Sequence, residues 1–162
     1  MKMHRALYAA LSLLVTIGAG AVWWVGTPAY AAGTWLSTVV PIQGTVNGPP
    51  ESVVFSGQAR VSSRLAPDPD FNAPRLMLTI DLSGVSGVGS STRAKYVISG
   101  TETVQRRLAF SHLVEIMFPF SKSNTAGASS ERSGVASFML SFDLNTGAVT
   151  TATAAVATPN LR

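Results

Sequence analysis

From Ser137 to Leu144 the chain alternates: Phe138, Leu140, Phe142 and Leu144 fall on one side, and Ser137, Met139, Ser141 and Asp143 on the other. A period of two sends successive side chains to opposite faces, so this stretch is predicted to be a strand with one dry and one wet face. Asn145-Thr146-Gly147 follows as a turn whose glycine can take a positive φ, and Ala148 to Thr158 returns as a run of mostly Ala, Val and Thr. Ser133 to Thr158 therefore reads as a β-hairpin.

The same period recurs upstream. From Val53 to Leu65 the odd positions are Val, Phe, Gly, Ala, Val, Ser and Leu, while Ser56, Gln58, Arg60, Ser62 and Arg64 follow Val54 on the even ones. Gly57 and Ala59 are small for core positions, which predicts a bend, a bulge or a close backbone approach there. Leu76, Leu78, Ile80 and Leu82 alternate with Met77, Thr79 and Asp81; Val114, Ile116, Phe118 and Phe120 alternate with Glu115, Met117 and Pro119. Both stretches are expected to be strands. Arg93 to Ser99 and Thr101 to Leu108 add another strand or a bulged pair around Gly100. Leu36 to Ile42 is β-prone but broken by Pro41, which suits an edge strand because proline has no N–H to give to a ladder. Turns and loops are expected at Asn47-Gly48-Pro49-Pro50, the proline-rich Ala66 to Pro74, the Gly/Ser-rich Ser83 to Thr92 and the polar Ser121 to Ser133. About seven or eight strands with no helical period predict an all-β fold, an antiparallel β-sandwich or small β-barrel, in one domain over residues 32–162.

The N-terminal stretch has a different pattern. Lys2, His4 and Arg5 precede the uncharged, mostly apolar run Ala6 to Val25, and Ala29-Tyr30-Ala31 follows Pro28. A basic head, an apolar run and small residues at −3 and −1 make the pattern of a secretory signal helix over residues 1–31, with Ala29 and Ala31 at the cleavage site. The alternative is an uncleaved membrane anchor, since an apolar run of about 20 residues can span a bilayer with Trp23 and Trp24 at its interface. On either reading the domain is exported, periplasmic or secreted. Lys2 and Arg5 belong to residues 1–31, so without that segment the net charge falls from +4 to +2 and gives no support for nucleic-acid binding. The chain has no cysteine, so an exported domain must be held by core packing and sheet hydrogen bonds rather than disulfides.

Few residues carry candidate chemistry. His112 is the one histidine after the signal segment, and Glu115, three residues on, would point to the opposite face of a strand. Gly84-Val85-Ser86-Gly87-Val88 breaks the nucleophile-elbow pattern at its last residue. Asp68, Asp70 and Asn72 stand at two-residue steps, as oxygen ligands do at the start of a calcium loop, and are the candidate Ca2+ ligands. Ala73 and Thr79 replace the turning glycine and the bidentate glutamate of the EF-hand, and Asp-Pro-Asp equally caps turns through its own side chains. Gly33-Thr34-Trp35 resembles the G-x-W tripeptide that opens lipocalin barrels. That resemblance spans three residues, has no second lipocalin motif beside it, and implies a barrel cavity for a small apolar ligand. The uncharged Ala148 to Thr158 is a template for pairing with another chain, with Val149 and Val156 as candidate partner-strand positions.

The expected function is that of a non-enzymatic exported β protein, a binding or envelope-associated structural module. The alternatives are a small apolar-ligand carrier and a surface subunit that self-assembles through its C-terminal strand. No cofactor other than Ca2+ and no nucleic-acid partner is expected.

Overall fold

The computed structural model describes residues 33–68, 70, 73–123 and 132–160. Residues 1–31, with Ala29 and Ala31 of the expected cleavage site, lie outside them, as does Asn72. The described chain is all-β: β1 (Leu36–Val46), β2 (Val53–Pro67), β3 (Pro74–Asp81), β4 (Val85–Gly89), β5 (Lys95–Ile98), β6 (Thr101–Arg107), β7 (Ser111–Lys122), β8 (Arg132–Phe142) and β9 (Val149–Ala157).

All nine strands join one sheet in the order β1-β9-β8-β7-β5-β4-β2-β3-β6, and β1 also pairs with β2, so the pairings return to the strand they started from. Every ladder is antiparallel except that of β1 with β9, which is parallel over Ile42–Gly44 and Ala154–Val156. The sheet is therefore mixed, where the hairpin-rich sequence predicted a purely antiparallel one. β1 is not an edge strand either. It pairs with β2 along its whole length, Pro41 opposite Gln58, and its β9 ladder begins at Ile42, just past the residue that has no N–H.

The alternating residues form the core. Val53, Phe55, Ala59 and Val61 of β2, Leu76, Leu78 and Ile80 of β3, and Phe138, Leu140 and Phe142 of β8 are buried with Val114, Ile116, Phe118 and Phe120 of β7. Phe55 meets Phe118 and Phe120 edge-on, with ring centroids 5.6 and 5.0 Å away, and Tyr96 meets Phe120 at 5.9 Å. Leu144 departs from its predicted dry face. The β8–β9 register shifts at Ser141/Phe142, the strand ends at Phe142, and Leu144 is carried out on the turn. That turn closes as expected, with Gly147 at φ 72° and the Asp143 carboxylate accepting from the N–H of Asn145 and Thr146.

β4 lies inside the stretch predicted as a turn. Val85, Gly87 and Gly89 alternate inward, and two of the glycines are there for space: a methyl at Gly87 would press on Val53 and the Phe55 ring, and one at Gly89 on the Glu51 carboxylate. Gly57, at φ 152°, has the backbone of Gly84 and Val85 where its side chain would stand, so this small core position marks a close backbone approach.

The registers gather the starts of β1, β3, β7 and β9 and the ends of β2, β6 and β8 at one end of the sheet. The chain enters the described fold at that end, where the Gly33 N–H donates to the Leu65 carbonyl at 2.9 Å.

Candidate functional site

Asp68 is buried, and its carboxylate takes a two-pronged contact from Arg75, Nε to Oδ2 at 2.5 Å and Nη2 to Oδ1 at 2.8 Å. Oδ1 also accepts the Asp70 N–H at 3.0 Å, and Arg75 Nη2 reaches Asp70 Oδ2 at 3.4 Å. Both oxygens of the leading candidate calcium ligand are thus engaged by a guanidinium, with which a cation would have to compete. Among the described residues no group of three His, Asp or Glu side chains is placed to hold a metal ion. The same carboxylate raises the Arg75 pKa, first through its hydrogen bond.

His112 is half-buried at the start of β7, its Nε2 2.8 Å from the Arg107 carbonyl and its ring 6.0 Å from that of Phe142. Trp35 lies under the Arg64 guanidinium at 4.7 Å and is 41% exposed, so it does not line an interior cavity.

The most fully satisfied polar group is one that the sequence pattern did not single out. Glu51 is buried between the Pro49-Pro50 turn and β2, and its carboxylate accepts from Ser91 N, Thr92 N, Thr92 Oγ1 and Tyr96 Oη at 3.0, 2.9, 2.6 and 3.0 Å. The Thr92 hydroxyl and N–H hold its pKa at about 2 against an ordinary 4.5, although burial pushes the other way. Arg132 donates to the Glu51 carbonyl at 2.7 Å, which ties the start of β8 to the same corner. A folded pKa below the unfolded one stabilises the fold above pH 4.5, and that contribution is lost as pH falls towards 2. Thermal melts across this window should show the melting temperature falling with pH, and Glu51→Gln should flatten the fall. Part of the slope should persist, because Asp81 and Asp143 are also lowered, each first by a backbone hydrogen bond, from Ser83 and Thr146 respectively. An unchanged slope in Glu51→Gln would show that the carboxylate is not what the folded state protects.

Val149 and Val156, the candidate partner-strand positions, lie on a strand with neighbours on both sides: β8 along its length and β1 over Ala154–Val156. Val156 is buried. Val149 itself, ahead of the β1 ladder, pairs only with β8, and among the described residues β6 is a further open edge, pairing only with β3. Beyond Ser99, whose N–H still reaches the Pro119 carbonyl, Gly100 at φ 122° turns the chain away from β7, and among the described residues β7 from Ser111 to Phe118 pairs only with β8. A seam is left between β6 and β7, a cleft of about 570 Å³ walled by residues 102–106 of one and 115–117 of the other. Opposite Ile80, Leu78 and Leu76 stand Glu102, Val104 and Arg106, so β6 carries two charged side chains, both exposed at the seam, on the face that β3 buries.

The chain matches no family model, no curated protein and no solved structure.

Proposed function

We propose that the protein is an exported, non-enzymatic binding module of the cell envelope that takes an extended segment of a partner protein into the β6–β7 seam. The observation that carries this reading is the pair of strand edges facing one another with no ladder between them among the described residues. Unpaired edges are templates for strand addition, in which main-chain hydrogen bonds supply affinity and alternate side chains supply selectivity. Inward charges on an edge strand oppose indiscriminate pairing. Glu102 and Arg106 therefore favour a segment with a basic residue opposite the first, an apolar one opposite Val104 and an acidic one opposite the second. Seven residues of β6 offer a run of about 23 Å.

On the same reading the fold is a barrel at the β4–β5 end that opens into two sheets at the other. The circuit of pairings supports the barrel end. The three-residue β1–β9 ladder and the missing β6–β7 ladder support the parting. Gly57 and Ala59, the positions behind the ligand-carrier alternative, are occupied by close backbone and core packing, which favours the seam over an interior ligand.

A photo-crosslinking residue in place of Thr103, which lines the seam, should give one discrete adduct in the native host, while the same residue at the exposed Thr151 of β9 gives none. Equal labelling from both positions, or none from Thr103, would remove the seam as the binding site. Turnover of a hydrolase panel that is lost in His112→Ala would overturn the non-enzymatic reading.

A further inference from the structure

The connections at the two ends of the sheet differ in character. At the entry end stand Trp35, Leu36, Phe110 and Leu144, all exposed, with Phe110 67% exposed, and Leu113 follows on β7. Contacts join them into one rim. Gly33 bonds Leu65, the Leu65 side chain fills the space beside Gly147 on the turn that carries Leu144, and the Phe142 N–H before that turn donates to the Phe110 carbonyl at 2.8 Å. At the opposite end the turns 47–52 and 90–94 hold none of the exposed large apolar side chains, and the exposed ones on the adjoining strands are the valines Val54, Val88 and Val97, with no aromatic among them.

We propose that this rim lies against the surface of a lipid bilayer. Aromatic and aliphatic side chains on one rim are what the boundary between headgroups and acyl chains accommodates, and Trp is favoured there because its ring is apolar and its N–H polar. The Arg64 guanidinium over Trp35 adds a cation that suits anionic headgroups. The acids at this end are engaged within the fold, Asp68 and Asp70 with Arg75 and Asp143 with its own turn. The position of the chain entry selects a bilayer over other apolar partners. The inference rests on the anchor reading of residues 1–31, in which the uncharged run Ala6 to Val25 is retained: Gly33 lies at this end, and the seven residues from Gly26 to Ala32 that separate it from that run reach at most about 25 Å. A bilayer that holds that run is thus within reach of this rim. The inference does not depend on what fills the β6–β7 seam.

Trp35 can report the contact. In the full chain carrying Trp23→Phe and Trp24→Phe it is the sole tryptophan. In vesicles of phosphatidylethanolamine and phosphatidylglycerol with brominated acyl chains, Trp35 emission should be strongly quenched. Phe110→Asp with Leu144→Asp, both at exposed positions that leave the core intact, should reduce that quenching about threefold. Circular dichroism of the double variant should match the parent and so separate loss of contact from loss of fold. Quenching that is absent in the parent rim, or unchanged in a folded double variant, would overturn the proposal. So would quenching abolished by an added envelope protein that covers Phe110, because the rim would then belong to that partner.

Discussion

Phe55→Ala is expected to lower stability by about 3–5 kcal/mol, a large share of the roughly 5–15 kcal/mol that holds a domain together. Phe55 is wholly buried on β2, the strand that contacts β1, β3 and β4. Its ring edge packs on Phe118 and Phe120 across the core. Alanine removes the ring from both, and the closely packed Gly87 backbone of β4 has no side chain with which to fill the void. Urea unfolding should show a lower midpoint with an unchanged slope, since the surface exposed on unfolding stays the same. Phe110→Ala is the internal comparison: this phenylalanine is exposed, and its loss should shift stability by no more than about 0.5 kcal/mol. Equal effects of the two substitutions would mean that the β2–β7 interface is not the centre of the core.

Gly44→Ala is expected to break the parallel β1–β9 junction at a cost of about 3 kcal/mol or more. A methyl group at Gly44 would overlap the backbone of Val156, and backbone, unlike a side chain end, cannot turn aside. Only three residue pairs join the two strands, with Gly44 opposite Val156 as the last of them. Amide exchange should accelerate at Ala154–Val156 and along β1, while β3 and β6, which do not touch the junction, keep their protection. Uniform acceleration throughout the sheet would show instead that the junction and the remaining ladders unfold as one unit.

The strands whose two faces differ were legible from the sequence, because alternation is a direct record of burial. Leu76, Leu78 and Ile80 in β3 and Phe138, Leu140 and Phe142 in β8 are buried as their spacing predicts. β4 was hidden because Gly87 and Gly89 face inward for lack of space, and a glycine that makes room for Phe55 or Glu51 reads in sequence like one that makes a turn. The parallel junction was invisible for another reason. It joins the first and last strands, and the Ala-rich inner face of β9 carries no pattern that names its neighbour. Glu51 stood beside the Pro49-Pro50 turn as a single acid, and its partners lie 40 to 45 positions away. The β6–β7 seam follows from one backbone bend at Gly100, while the residues on either side of it are ordinary for strands.

The parallel course of β1 and β9 also fixes how the domain would bear a load. Because adjacent strands run the same way, the chain enters at Gly33 at one end of the sheet and leaves past Thr158 at the other, where the Thr158 hydroxyl accepts the Asn47 N–H at 2.8 Å. A pull applied between Gly33 and Thr158 would slide β1 along β2 and β9 along β8, straining many rungs together instead of peeling them one by one. With β1 laddered to β2 over its full length and β9 to β8 over most of its own, the two strands that receive the tension are among the most extensively bonded in the sheet.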